Sequence, residues 1–365
     1  MTDIIGKPKE ALDTPALLIE LDILEKNLSR MANTILKEGG VQWRPHTKGM
    51  KTPALAHMLL NAGAHGITCA KLGEAEVMAI AGVRDILIAN QIVTPQKITR
   101  LVNLRKHTDV IVAVDCIENV EALDRAAQEK GVCLRLLIEV DTGMNRAGVL
   151  PGEATLTLAQ NIVGRKGVHL AGLMTWESHA IAIKDIDEKR RVINEALTDF
   201  TDTAKLCRDN GIPIEILSCG GTGTYWISAT QEGITEIQAG GGIFCDIRYR
   251  NAFGVEHDYA LTVLSSVTSR PTPTRIICDA GKKTMSTDAS VPEPIGIANV
   301  ESVGCSAEHG TINLTEPADH PKISEQVEFV VGYSDTTVML HNEIYGIRNG
   351  LVETVWPLWG RGKLQ

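Results

Sequence analysis

Lys48 is the residue whose setting most suggests covalent chemistry, in the segment Arg44-Pro45-His46-Thr47-Lys48. An amine kept partly neutral by its surroundings attacks a carbonyl to form a Schiff base. The plain alternative is a solvated surface lysine; a proline-stiffened segment carrying Arg44 and His46 argues for a held one. Two glycine runs offer complementary chemistry, Gly220-Gly221-Thr222-Gly223-Thr224 and Gly240-Gly241-Gly242. Without Cβ atoms, their N–H groups can converge on an anion, and the threonines add hydroxyls. Either run alone would as readily be a tight turn. A lysine together with a phosphate site implies a phosphorylated carbonyl compound, as cofactor or as substrate.

These residues need elements to hold them, and the chain shows a regular alternation. Short apolar, β-branched runs at 43–48, 66–70, 85–90, 109–115, 134–141, 170–177, 215–220 and 235–240 predict strands. Amphipathic stretches at 52–62, 72–81, 95–106, 120–130, 154–163 and 185–210 predict helices between them. Strand–helix alternation implies a parallel sheet, and eight repeats fit a closed (β/α)8 TIM barrel. In a barrel the active site gathers at the C-terminal strand ends, and the loops after strands seven and eight are the usual phosphate site. Lys48 then closes the first strand, and the two glycine runs close the seventh and eighth.

After Tyr259 the texture changes to strand-like runs at 260–268, 274–278, 323–331 and 337–340, joined by Gly, Pro and Asp turns. That predicts a second, mostly antiparallel β-domain. The early run 14–21 resembles these strands and precedes a helix over 22–37, so the β-domain is expected to draw on both chain ends. The expected domains are a barrel at 22–255 and a β-domain from 1–21 plus 256–365.

Composition narrows the function classes. A net charge of −9 with no long basic run argues against nucleic acid as a partner. Residues 1–14 lack an apolar core of signal-peptide length, and no later run is long enough to span a membrane. A cytoplasmic protein is expected. None of the eight cysteines forms a Cys-x-x-Cys pair, so neither a zinc knuckle nor a redox motif is suggested. Cys69, Cys133 and Cys278 lie in apolar runs and read as small buried hydrophobes.

Together with Asp141-Thr-Gly-Met-Asn-Arg146-Ala-Gly148 and Gln238-Ala-Gly240, these motifs resemble the fold-type III pyridoxal 5′-phosphate (PLP) enzymes of the D-threonine aldolase and D-serine dehydratase group, relatives of alanine racemase. The resemblance runs from Asp13-Thr-Pro15 to Trp356-Pro357 and Arg361-Gly362. It implies that Lys48 holds PLP as a Schiff base. It also implies that Gly221, Thr222, Gly223, Gly240 and Gly241 bind the 5′-phosphate. Arg146 matches an arginine near the cofactor ring; His46 and Gln238 are further expected cofactor contacts, and Asn90 and Gln91 line the pocket. A homodimer acting on a small amino acid is the family habit.

The group also holds a divalent metal through a His-x-Asp or His-x-Cys pair. Here the segment reads Tyr333-Ser334-Asp335-Thr-Thr-Val-Met-Leu-His341. Asp335 aligns with the second ligand, while Tyr333 stands where the histidine belongs. Met50 replaces a histidine two residues after the lysine, and Trp176-Glu177 replaces a Tyr-His pair. An oxygen pair of Asp335 and Glu177 would favour a hard ion such as Mg²⁺, Ca²⁺ or Mn²⁺ over Zn²⁺; without a metal, Tyr333 becomes the leading acid/base group. The expected function is a PLP-dependent lyase acting on a β-hydroxy-α-amino acid of D configuration, with Lys48, Glu177 and Tyr333 as its catalytic residues. Asp at position 335 follows the aldolase form of the pair, where the dehydratase form has Cys, so retro-aldol cleavage is favoured. The alternatives are a metal-independent racemase or epimerase of this fold and a non-catalytic PLP carrier, against which the long β-domain argues. His179 and His309 read as structural as readily as functional, His341 on its strand-like run as structural, and Glu74 and Glu76 as solvated helix charges.

Overall fold

The first apolar run forms strand β1 (Ala16–Glu20), in which Ala16 to Ile19 are buried. The computed structural model, which describes residues 4–365, leads from it into helix α1 (Leu21–Ala32) and a π-helical turn at Asn33–Glu38. Eight parallel strands follow: β2 (Gln42–Trp43), β3 (Ile67–Cys69), β4 (Asp85–Gln91), β5 (Asp109–Val114), β6 (Leu134–Glu139), β7 (Val168–Met174), β8 (Ile216–Cys219) and β9 (Glu236–Ile237). They pair in the order β2-β9-β8-β7-β6-β5-β4-β3. Past β2, Thr47 donates its N–H to Thr68 O at 2.8 Å and Thr68 donates to Pro45 O at 2.9 Å, a bridge that returns the first strand to the second. These are the strands that the alternation predicts, most of them trimmed at one or both ends.

Between them run α2 (Pro53–Asn61), α3 (Leu72–Ile80), α4 (Pro95–Arg105), α5 (Ile117–Glu129), α6 (Glu153–Ile162) and α7 (Ile186–Asp209), with the short α8 (Tyr225–Ser228) after β8. Strands covered on both faces read as unbroken apolar runs, as Val110 to Val114 do. Leu87, Ile111, Ala113, Leu137, Ala171 and Met174 form one core cluster among them.

A polar chain also runs through this core. Gln238 Nε2 donates to Ser218 Oγ at 2.9 Å, and Ser218 Oγ donates to Glu236 Oε1 at 2.7 Å. The other Glu236 oxygen accepts Arg44 Nε at 2.8 Å, and the Arg44 guanidinium reaches Asp85 at 2.5 Å. Burial alone would push the Glu236 carboxyl up, but the Arg44 charge and hydrogen bonds from His65 and Ser218 outweigh it and hold it at about 2. Removing one partner leaves the other charge buried and unpaired. Arg44→Met is therefore expected to destabilise the protein by about 3–5 kcal/mol, read as a fall in denaturation midpoint. Because the folded pKa lies below the ordinary 4.5, the Glu236 contribution is present above pH 4.5 and is lost as pH falls toward 2.

The chain divides into two compact units. One takes Ser29–Lys48, Pro53–Gly240 and Gly362–Gln365; the other runs up to Leu28 and takes Gly49–Thr52 and Gly241–Arg361. In the second unit, α9 (Ile247–Phe253) precedes β10 (Leu261–Thr272), β11 (Arg275–Cys278), β12 (Glu293–Pro294), β13 (Val300–Cys305), β14 (Gly310–Leu314) and β15 (Gln326–Val330). Helix α10 (Ser334–Thr337) and strands β16 (Glu343–Arg348) and β17 (Leu351–Pro357) complete it. Strand β1 lies in this sheet, antiparallel to β10 and parallel to β16. Leu12, Ala16, Leu18, Leu264, Ile347 and Val352 form its core.

Three expectations are corrected. Residues 337–340 form no strand: Ser334–Thr337 is helical and Val338–Leu340 a 3-10 turn. The buried Asp246 carboxylate accepts both the N–H and the hydroxyl of Ser334 at 2.7 Å, which fixes a turn where β-branched residues favour a strand. Cys133 is exposed, whereas Cys69 and Cys278 are buried. Glu74 is a buried cap rather than a solvated charge, accepting the N–H groups of Ala70 and Lys71 at the start of α3.

Candidate active site

Lys48 lies two residues past the bridge that closes the barrel sheet, and it is exposed there. Its N–H donates to His46 Nδ1 at 3.3 Å, which requires that ring nitrogen to be unprotonated. Gly240, at the end of β9, packs flush on the His46 backbone: an added Cβ would collide with the His46 carbonyl oxygen. The first and eighth strand ends are therefore held together by a contact that only glycine permits.

The loop after β8 is built as tightly. Thr224 and Tyr225 turn their N–H groups back to Gly221 O at 3.0 and 2.9 Å. Gly220 takes the left-handed φ of +77°, and a Cβ on Gly221 would enter the Trp176 indole ring. Glu177 is fully buried at the end of β7, and its oxygens accept Thr224 Oγ1 at 2.7 Å, Ser228 Oγ at 2.6 Å and Gly220 N at 3.3 Å. Thr222 and Gly223 occupy the middle of this turn.

The Asp141–Gly148 loop rests on its own aspartate, whose Oδ1 accepts the N–H groups of Gly143 and Asn145 at 3.0 Å. Arg146 is half-exposed and donates to Glu139 Oε1 at 3.1 Å. Gln91 donates to Glu139 Oε2 at 2.7 Å and to Asp115 Oδ2 at 3.1 Å. A carboxylate at the end of β6 thus fixes the expected ring arginine and the expected pocket glutamine together.

Tyr333, Asp335 and Gly241 belong to the other unit. Tyr333 donates its hydroxyl to Asp335 Oδ2 at 3.1 Å. Arg248 stacks over the Tyr333 ring at 5.1 Å, and Tyr249 meets it edge-on at 5.9 Å. Burial first, then the Asp335 charge, raise the Tyr333 phenol well above its ordinary range, so it stays protonated and acts as a donor. Burial likewise pushes Asp246 up to about 6. A Cβ on Gly241 would stand 2.5 Å from the Tyr249 hydroxyl, and one on Gly49 would collide with Asp335 Oδ1. The Asp335 carboxylate therefore packs on Gly49 within the same unit. Sequence reasoning missed this glycine; a Gly directly after the candidate lysine was the available signal.

The residues fit PLP: an exposed lysine at a barrel strand end, and glycines at both later strand ends where a Cβ could not stand. They fit a divalent metal poorly. One Asp335 oxygen accepts the Tyr333 hydroxyl, and both Glu177 oxygens accept from the loop. Among the described residues, no group of three or more His, Cys, Asp or Glu side chains gathers in metal-binding geometry. His341 is half-buried with Nε2 2.9 Å from Thr284 O, and His309 is exposed. His179 packs against Gly143, whose Cβ would lie 3.1 Å from its ring.

Comparison with known proteins agrees with this geometry. The family model for the alanine racemase N-terminal domain matches residues 19–247, and a serine dehydratase domain model matches 260–347. A 3-hydroxy-D-aspartate aldolase of Paracoccus denitrificans is 31% identical over 98% of this chain and 94% of its own. A D-threonine aldolase of Arthrobacter is 32% identical over 98% of this chain and 95% of its own. The crystal structure of D-threonine aldolase from Filomicrobium marinum superposes with a TM-score of 0.95 at 31% identity, over 99% of both chains. The chain belongs to the alanine racemase-like family, in its D-threonine aldolase and D-serine dehydratase group.

Proposed function

We propose that this chain is a PLP-dependent lyase that cleaves a β-hydroxy-α-amino acid of D configuration by retro-aldol chemistry, giving glycine and an aldehyde. The observation that carries the reading is exposed Lys48, two residues past the bridge between the first and second strands, in a barrel whose later strand ends carry Gly221 and Gly240, where no Cβ fits. Relatives matching almost the whole chain carry aldolase names, which supports a lyase over the racemase alternative. Bound at Lys48, PLP would supply an electron sink for the pair released when the Cα–Cβ bond breaks.

This chain's own residues do the rest. Gly221, Thr222, Gly223, Gly240 and Gly241 would hold the 5′-phosphate, with His46 and Gln238 as further contacts to the cofactor. Arg146, oriented by Glu139, would serve its ring. Tyr333 and Asp335 take the β-hydroxyl proton, the phenol passing its own proton to the carboxylate it already donates to. Glu177, read from sequence as catalytic, serves the loop its oxygens hold. A homodimer in the cytoplasm is part of the reading. No helix among the described residues is long and apolar enough to cross a membrane, and none of the eight cysteines is disulfide-bonded.

Because Tyr333 already donates to Asp335, we expect turnover to be independent of Mg²⁺ and Mn²⁺. The holoenzyme dialysed against EDTA should keep its rate within twofold, and added Mn²⁺ should leave it unchanged. A rise of tenfold or more on adding Mn²⁺, lost again in Asp335→Asn, would return the metal to Asp335.

A further inference from the structure

Glu177 has a geometry that neither a catalytic acid nor a metal ligand requires. It is fully buried, and the partners that hold it are two hydroxyls and an amide rather than a cation. Its three donors all come from one stretch of chain, Gly220, Thr224 and Ser228, which lie 43, 47 and 51 residues away in sequence. Burying a carboxylate is costly unless its hydrogen bonds are made, and here they are made to one loop.

The proton inventory fixes more than three contacts. A carboxylate only accepts, so the Thr224 hydroxyl spends its proton on Glu177 Oε1. The Thr224 oxygen is then an acceptor, and it takes the Gly221 N–H at 3.1 Å. Gly220, in its left-handed conformation, is held by Glu177 Oε2. Ser228, in the turn after the loop, is tied to the same oxygen as Thr224. One carboxylate therefore sets the conformation of Gly220, Gly221 and Thr224 and turns the donors of both ends of the loop inward. Thr222 and Gly223 lie between these fixed positions, at the centre of the loop.

We propose that Glu177 is the positioning residue of the phosphate loop, an inference that rests on the PLP reading above. It acts through Gly220, Gly221 and Thr224, and it selects for the phosphate of the cofactor rather than for the pyridine ring. Glu177→Gln keeps the shape and can still accept from both hydroxyls. Its amide nitrogen then faces the Gly220 N–H, donor against donor, and the loop loses its anchor.

The test separates phosphate from ring. Apoprotein is titrated with PLP and with pyridoxal, which lacks the phosphate, while the thermal midpoint is followed. Glu177→Gln is expected to weaken PLP binding about tenfold, in line with the loss of one hydrogen bond to a charged group, and to leave pyridoxal binding unchanged. Ser228→Ala, which removes one donor and keeps the carboxylate, should lower the PLP-to-pyridoxal preference in the same direction by less. An unaltered preference in both variants overturns the proposal, as does tighter PLP binding in Glu177→Gln, which would mean that its charge opposes the phosphate. If Glu177→Gln does not fold, Ser228→Ala and Thr224→Val decide by the same ratio. A wild type that binds no PLP overturns the reading beneath the proposal, and a wild type that binds PLP with no preference over pyridoxal overturns the proposal alone.

Discussion

Lys48→Ala should lose turnover by on the order of 10⁴-fold or more, the scale of removing a residue that bonds covalently in the reaction. The fold should survive, because the Lys48 side chain is exposed and the bridge between strand ends runs through the backbone of Pro45, Thr47 and Thr68. The variant should also lose the visible absorbance of the covalently held cofactor. Borohydride treatment of the wild type followed by peptide mass mapping should find the reduced cofactor on Lys48. Cofactor fixed to another lysine, Lys71 or buried Lys189 for example, would displace Lys48 from its place in this account.

Tyr333→Phe should lower kcat by roughly 10²–10⁴-fold, the range of a lost general acid–base group, with cofactor absorbance intact. The change removes one oxygen and leaves the ring between Arg248 and Tyr249, so packing is preserved. Tyr333 and Asp335 act together in this account, so Asp335→Asn should cost a similar factor and the double variant little more than either alone. Multiplicative losses in the double variant would show two independent groups. A Tyr333→Phe enzyme with full activity would leave that side chain to packing.

How much of this was legible in the sequence follows from which interactions are local. The barrel strands could be read because strands buried on both faces have to be apolar throughout, as Asp109–Val114 nearly is. The glycine runs could be read because each marks a close approach, to Trp176 at Gly221 and to His46 at Gly240. The turn at Ser334–Leu340 could not, since it depends on Asp246, 88 residues earlier. Strands β13 and β14 also escaped: no residue of β13 is buried, and in β14 Gly310 and Asn313 leave only Ile312 and Leu314 as buried apolar signals. The place of Glu177 was hidden for the same reason as that of Glu236. Each is a buried carboxylate whose partners come from other strands and loops, so a strand-end position could mark Glu177 as a site residue without showing that it holds the loop.

The most direct measurement of the central claim is a product analysis. Purified holoenzyme is incubated with D-threonine and with its L enantiomer, and glycine, acetaldehyde, ammonia and substrate chirality are followed in one reaction. Glycine and acetaldehyde are expected in equal amounts from the D enantiomer, with no ammonia and no change of configuration in the remaining substrate. Ammonia with a 2-oxo acid, or interconversion of D and L substrate without cleavage, would contradict it.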